Sequence, residues 1–444
     1  MLSLPVLLAT LLALLCRATA IEIDVGDEDS IKHAAFVFSH GMMSYYNGNQ
    51  SGETPGMFVD PYYWWEAGAA WDTLLGYWYL TGDTTYNDQV KSSLLYQTGN
   101  DNNYVPSNQS TTEGNDDQAF WIFAALTACE RNFSNPDGDD DPSWLTLAEN
   151  GFNSMANRWD SANCGGGLRW QIFTWNDGYD YKNTISNAGL FLIAARLARY
   201  TSNDTYVEWA ERAYNWTEDV GFLNTEYYFF YDGADISENC TDIDELQWSY
   251  NAAIFLAGAA FLYNYTEDEL WYNRTWNILT GIGVFFDSNS SIMYEAACEV
   301  GGNCNTDQLS FKAYLARYLG LTASLVLDTY DTIMNHLTTT TTGVAQSCVG
   351  GTDNVTCGST WLNKGWDDTW GLGQEMAALE VVQNLLIGSV DPPLTATTGG
   401  SSVVDNDTDS SSDDVITTAD KAGAGVLTSF VLIVILMFGW WLIL

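Results

Sequence analysis

The chain has 444 residues, with 57 acidic and 15 basic side chains leaving a net charge of −42. So acidic a molecule is a poor partner for nucleic acid or an anionic lipid surface, and a neutral ligand fits better. Aromatic residues make up 14%, with 19 Trp and 25 Tyr; such rings suit the C–H faces of sugars, although large helical cores are aromatic-rich too.

In chain order, residues 1–20 form one apolar run closing on Ala18-Thr19-Ala20. The small residues mark a signal-peptidase site, and the run is short for a membrane span. Cleavage after Ala20 is the expectation, despite the absence of a basic start. From 21 to 388 no low-complexity linker interrupts the chain, and the apolar periodicity is helical. Candidate helices cover 28–47, 63–81, 84–97, 116–131, 143–159, 184–201, 204–218, 246–264, 268–283, 306–320, 322–337 and 368–388. The second, fourth, sixth, eighth, tenth and twelfth are alike. Each has a polar or aromatic opening, then Ala, Leu and Gly on nearly every side, as in DDQAFWIFAALTACE and LQWSYNAAIFLAGAAFLY. A helix that is apolar all round must be buried, whereas TYVEWAERAYNWTEDV keeps a charged face for water. Buried helices alternating with half-exposed ones predict an all-α fold, an (α/α)6 barrel or toroid of six helical hairpins, with 28–47 closing against 368–388. An open superhelix of the same hairpins is the competing arrangement. In the closed ring the inner helices run parallel and their polar N-terminal ends line a single mouth.

Residues 389–424 turn to Thr, Ser, Asp and Gly, which cannot bury a core and are expected to form a disordered stalk. The last segment, 425–444, is apolar with no basic residue after it. Small residues near 410–412, a polar spacer and a terminal apolar tail form the order expected for GPI attachment; a conventional transmembrane helix is the alternative. The expected location is the cell surface, with the lipid anchor as the membrane contact and the ectodomain acting as a monomer; the cell wall enters only with the resemblance given below. Asn-x-Ser/Thr acceptors stand at Asn49, Asn108, Asn132, Asn203, Asn215, Asn239, Asn264, Asn273, Asn289, Asn354 and Asn406. Without Cys16, seven cysteines remain, and an oxidising compartment favours disulfides; Cys298–Cys304 and Cys348–Cys357 are plausible loop staples, with one cysteine left over.

The sharpest chemical signal is Gly114-Asn115-Asp116-Asp117-Gln118. Asn115 with Gln118 reads as a capping box that places both aspartates in the first turn of an inner helix. Acidic residues also sit there merely to complement the helix dipole. Three features favour chemistry: the mouth location, the scarcity of histidine (His33, His40, His336), and the mutual repulsion that would leave one carboxyl protonated and one ionised. Neighbours on a helix can approach the ~5 Å carboxyl separation of a retaining glycosidase. A second pair, Asp367-Asp368, also opens an inner helix and is the rival site.

Candidate subsite residues surround the first pair. Trp64, Trp65 and Asp72 open one inner helix, while Trp175, Asn176, Asp177, Tyr179 and Asp180 lie in a Gly-rich loop. Lys182, Asn183 and Asn187 lead into the next helix, followed by Trp248 and Asn251, then Trp366, Asp367 and Asp368. Each has an ordinary capping or packing role as its alternative. No cofactor is expected: Gly165-Gly166-Gly167 lacks a following GK[ST], and Asp137–Asp141 fails as a calcium loop because Pro142 and Ala148 occupy its sixth and twelfth positions.

GNDDQAFW, YWWEAGAAWDTLLGYWYLTGD, CGGGLRWQIFTWNDGYDYKNTISNAG and QWSYNAA together resemble the fungal GPI-anchored branch of glycoside hydrolase family 76, the mannan endo-1,6-α-mannosidase family. The resemblance spans most of 22–388. It implies an (α/α)6 barrel and retaining cleavage of α-1,6-mannosidic bonds, with Asp116 as nucleophile and Asp117 as acid/base. It further implies transglycosylation on the mannose core of GPI anchors, joining mannoproteins to a cell-wall β-glucan acceptor. A simple endo-1,6-α-mannan hydrolase and a non-catalytic mannan-binding wall protein are the rival readings.

Overall fold

The computed structural model describes residues 21–138 and 141–400. The expected signal peptide, the attachment region, the apolar tail and the acceptor Asn406 lie outside the described residues. Twelve α-helices are described: α1 (Glu28–Met43), α2 (Trp64–Thr81), α3 (Asn87–Tyr96), α4 (Asn115–Glu130), α5 (Trp144–Ala156), α6 (Thr184–Thr201), α7 (Asp204–Asp219), α8 (Ser249–Thr266), α9 (Glu269–Gly281), α10 (Phe311–Leu325), α11 (Tyr330–Ser347) and α12 (Leu372–Gln383).

α2, α4, α6, α8, α10 and α12 each pack on the next, and α12 packs on α2, so the ring is closed and the open superhelix is excluded. α3, α5, α7, α9 and α11 form the outer layer, completed by α1 against α12. This is the (α/α)6 barrel the patterning predicts. The inner helices approach closely because small residues sit at the crossings. A Cβ on Gly68 would meet the Trp121 ring at 2.9 Å, and one on Gly258 would meet Phe191 at a shorter distance still.

Two buried charge clusters tie the inner helices together. Arg196 bonds Glu130 at 2.8 Å, and Arg317 bridges Asp72 at 2.5 Å and Glu380 at 2.7 Å. Both arginines are almost fully buried, as are their carboxylates, so each partner offsets the other's desolvation. These pairs tie α6 to α4, and α10 to both α2 and α12, fixing the rotation of inner helices whose apolar faces alone leave register weakly specified.

Three disulfides form: Cys164–Cys240, Cys298–Cys304 and Cys348–Cys357, with Cys129 the free, buried seventh. The stalk expectation needs correction at its start. Asp391 O accepts from Tyr79 Oη and Arg131 Nη1, Leu394 N–H donates to Glu130 O, and Ala396 N–H donates to Tyr200 O. Residues 391–396 thus cross the C-terminal ends of α2, α4 and α6, where orphan helix carbonyls need donors. Short strands lie on the connections: β1 (Tyr181–Asn183), β2 (Leu223–Asn224), β3 (Phe229–Phe230), β4 (Gly233–Asp235) and β5 (Ile243–Asp244), with β4 pairing antiparallel to β1 and β5. No described helix is long and apolar enough to cross a membrane.

Candidate active site

At the mouth, the openings of five inner helices surround a cavity of about 300 Å³. Trp65 comes from α2, Asp116, Asp117 and Phe120 from α4, Asn183 from the start of α6, Trp248 and Tyr250 from the start of α8, and Asp307 and Phe311 from the entry to α10. Trp170, Tyr181 and Asp232 close it from the loops.

The first turn of α4 is built one residue earlier than the capping-box reading expects. Gly114 is the N-cap, and Asp117 Oδ2 accepts its N–H at 2.6 Å. Asn115 and Gln118 instead accept from Arg158, and Asn115 clamps the Gly-rich loop through bonds with the carbonyls of Arg169 and Trp170. Asp116 Oδ1 accepts the Asp117 N–H at 3.1 Å, while Asn183 Nδ2 stands 3.4 Å from Asp116 Oδ2. A Cβ at position 114 would collide with Asp116 Oδ1, so glycine is what lets this carboxyl fold back over the helix start.

Withdrawal from water raises both aspartates: Asp116 well above the ordinary carboxylate range, with the Asp117 charge adding to the effect, and Asp117 to about 7. Burial also raises Asp307, against a 3.0 Å bond from Trp65 Nε1 that lowers it, and raises Asp232, which accepts from Tyr181 Oη at 2.8 Å. A pair of carboxyls so placed carries a proton at neutral pH and can give and take it at a bound oxygen.

Beyond Asp117 the cleft continues into a second cavity of about 420 Å³ that shares Trp65, Trp170, Asp117 and Asp307 with the first. Tyr63, Trp64, Gln171, Asn176 and Asp177 line it, together with Glu113. Neither carboxyl oxygen of Glu113 has a hydrogen-bond partner among the described residues, and burial, then the Asp117 charge, pushes the group up to about 9.

The structure divides the expected subsite residues into two sets. Asp116, Asp117, Trp65, Asn183 and Trp248 line the first cavity, and Trp64, Asn176 and Asp177 the second, although Trp64 also stacks on Trp121 and donates to Gln97. The others stand outside the cleft. Asp72 is two turns inside the barrel, paired to Arg317. Lys182 points to the other side of β1 from Tyr181 and Asn183, as strand alternation requires, and donates to the carbonyls of Asp160, Asn163 and Gly166. Asn187 clips the backbone of Leu168 and Asn183, and Asn251 is buried one turn into α8.

Tyr179 lies under the Arg169 guanidinium, and Asp180 pairs with the same arginine at the surface. Trp175 is 66% exposed and donates to Ser110 O. Trp366 donates to Thr369 O, and Asp367 accepts from Ser359, Thr360 and Thr369, so the second acidic pair builds a turn; Asp368 holds a left-handed backbone there (φ 60°). Neither Asp367 nor Asp368 lines the cleft.

Glu113, Trp170, Tyr181, Asp232, Tyr250 and Asp307 are among the cleft residues that sequence reasoning missed. Asp307 had a usable signal, a carboxylate at the start of a predicted inner helix. Asp232 had none.

A cleft walled by aromatic rings, with two adjacent buried carboxyls at the mouth of an (α/α)6 barrel, defines a glycoside hydrolase. The sequence profile of glycosyl hydrolase family 76 matches residues 30–397, and the chain belongs to that family. It is 51% identical over 431 residues, 96% of this chain and 95% of the relative, to the mannan endo-1,6-alpha-mannosidase DCW1 of Saccharomyces cerevisiae. The crystal structure of Dfg5 from Chaetomium thermophilum, in complex with glucosamine, superposes with a TM-score of 0.82 at 42% identity, covering 86% of this chain and 95% of that one. An inactive variant of the alpha-1,6-mannanase of Salegentibacter sp. HEL1_6, in complex with alpha-1,6-mannotriose, shares the fold at 16% identity, with a TM-score of 0.65 over 80% of this chain and 99% of that one.

Proposed function

We propose that this enzyme cleaves α-1,6-mannosidic bonds with retention, Asp116 acting as nucleophile and Asp117 as acid/base. The observation that carries the reading is the meeting of both carboxyls, on one helix turn, with Trp65, Trp170 and Trp248 around a single cavity. Asp117 delivers its proton to the glycosidic oxygen as Asp116 attacks the anomeric carbon. The leaving sugar departs with the bonding pair, and a mannosyl ester remains on Asp116. Asp117, now ionised, deprotonates the incoming water or sugar hydroxyl, which releases the mannosyl group with its original anomeric configuration. Burial raises both carboxyls, so a proton stays with the pair as substrate binds. The positive charge that grows at the anomeric carbon lies beside Asp116, stabilises its anion and shifts the shared proton to Asp117.

Transfer to a sugar hydroxyl is the finer reading, favoured by the second cavity, whose aromatic walls give an acceptor a place beside Asp117. In that reading the donor is the mannose core of a GPI anchor and the acceptor a wall β-glucan. The protein is secreted, held at the cell surface by its own lipid anchor and monomeric. The similarity to the mannan endo-1,6-alpha-mannosidase DCW1 supports the α-1,6-mannosidic bond as the one cleaved; the patterning of the two ends of the chain supports secretion and the anchor. The test offers the purified ectodomain an α-1,6-mannoside or a GPI-core glycan, with and without a glucan acceptor, and weighs the products. Hydrolysed or transferred mannosyl products support the proposal; unchanged substrate that remains bound supports a mannan-binding wall protein instead.

A further inference from the structure

A third and larger cavity, about 1020 Å³, shares no lining residue with the catalytic cleft. It lies beside the Cys164–Cys240 disulfide, where the Gly-rich loop meets the end of α7 and the turn after β4. Its size is at the top of the range for small-ligand sites. On its wall Trp159, half-buried, and Trp216, 6% exposed, meet edge to face at 6.1 Å, beside apolar Val220 and Ile243 and the charged residues Arg212 and Asp219.

Two N-glycosylation acceptors, Asn215 in Asn-Trp-Thr and Asn239 in Asn-Cys-Thr, stand on the lining of this one groove. They differ in freedom. Asn215 Oδ1 accepts from Arg274 at 3.3 Å, which turns that amide toward α9. Asn239 is exposed, its side chain makes no hydrogen bond among the described residues, and its left-handed backbone (φ 51°) lifts it at the turn beside Cys240. The three disulfides fit passage through the oxidising compartment where such acceptors are modified.

We propose that the groove is the bed of the protein's own N-linked glycan on Asn239, whose first two N-acetylglucosamines lie against Trp159, Trp216 and Ile243. The inference rests on the secretion reading given above. In the modification, Asn239 Nδ2 forms a bond to the anomeric carbon of an oligosaccharide carried on a lipid diphosphate. The diphosphate leaves with the bonding electrons, and the amide proton passes to base. The sugar then covers apolar surface between the Gly-rich loop and β4, the strand that pairs with the cleft strand β1.

The experiment uses the secreted glycoprotein and an endoglycosidase that cuts between the two core N-acetylglucosamines. Glycopeptide masses are followed with time under native and denaturing conditions. Asn289 and Asn354, exposed and outside every cavity described above, are the internal controls. The glycan on Asn239 is expected to be cut roughly tenfold more slowly than the controls in the native protein and at the same rate after denaturation. Equal native rates, protection at Asn215 in place of Asn239, or an unmodified Asn239 beside modified controls overturns the proposal and leaves secretion standing. An absence of N-glycan from every acceptor of the expressed chain overturns both. A second readout compares Thr241→Ala, which removes the acceptor, with Thr241→Ser, which keeps it: oxidative labelling of Trp159 rises only in the first, and equal labelling in both rejects the bed.

Discussion

Glu113→Gln isolates the electrostatics of the cleft from its chemistry. Glu113 is 1% exposed, its carboxyl oxygens have no hydrogen-bond partner among the described residues, and its ionisation is raised from 4.5 to about 9 by burial and then by the Asp117 charge. A carboxyl raised on folding favours the native state fully below the unfolded value, and this contribution is lost progressively as pH rises toward the folded one. At pH 7 folding must therefore return a proton to Glu113 at a cost of about 3 kcal/mol, taking 1.36 kcal/mol for each unit between 4.5 and 7. A neutral glutamine of the same shape avoids that cost. With an unfolding entropy of ~2 cal/mol/K per residue, the variant should melt about 3 to 4 °C above the parent at pH 7. The gain should shrink toward zero near pH 4.5, where the unfolded chain holds the proton as well. Calorimetry of both proteins at pH 4.5, 6 and 7.5 makes the comparison. A shift that ignores pH, or a variant less stable at pH 7.5 than at 4.5 relative to the parent, would refute the reasoning.

Other consequences follow from the same geometry. Arg317→Met leaves the buried Asp72 and Glu380 carboxylates unpaired and should cost about 3–5 kcal/mol of stability, read as a lowered denaturation midpoint, because removing one partner strands the others' charge. Hydrolysis needs one proton on the pair, so activity should pass through a maximum, falling at low pH, where burial keeps both Asp116 and Asp117 protonated, and at high pH, where both are ionised; a rate profile across pH 4–9 checks the shape. Trp170→Ala removes a partly exposed ring shared by both cavities and should raise KM about tenfold with a smaller change in kcat, as steady-state kinetics on a mannooligosaccharide would show.

Much of the fold was legible because burial leaves a one-dimensional trace. Helices α2, α4 and α8 are apolar on every side, and only an interior position tolerates that. Boundaries failed where tertiary contacts override propensity. The run Thr338–Thr342 looked like a helix end, yet α11 continues to Ser347, with Thr340 and Thr341 buried and the Thr341 hydroxyl returned to Leu337 O. In the site, Asp116 and Asp117 were legible because their neighbours place them at a helix start.

Asp72 was misread for the opposite reason. The arginine that claims it lies 245 residues away, and no local pattern announces that pairing. Lys182 was misplaced because the three residues before α6, YKN, form a strand, whose period-two alternation sends the lysine away from the face shown by Tyr181 and Asn183. Asp232 and Trp170 come from loops that tertiary hydrogen bonds bring to the mouth, whereas Glu113 stands just ahead of the Gly114 cap and gives no pattern of its own.

The most direct test of the central claim is to trap the mannosyl enzyme. Incubated with an activated α-mannosyl fluoride, the parent and Asp117→Asn should carry one mannose ester on Asp116, located by peptide mass, with the ester persisting longer in Asp117→Asn because water is no longer activated. Asp116→Asn should bind mannooligosaccharide and form no ester. An ester on Asp117 or elsewhere, or full turnover of a natural α-1,6-mannoside by either variant, would contradict the assignment.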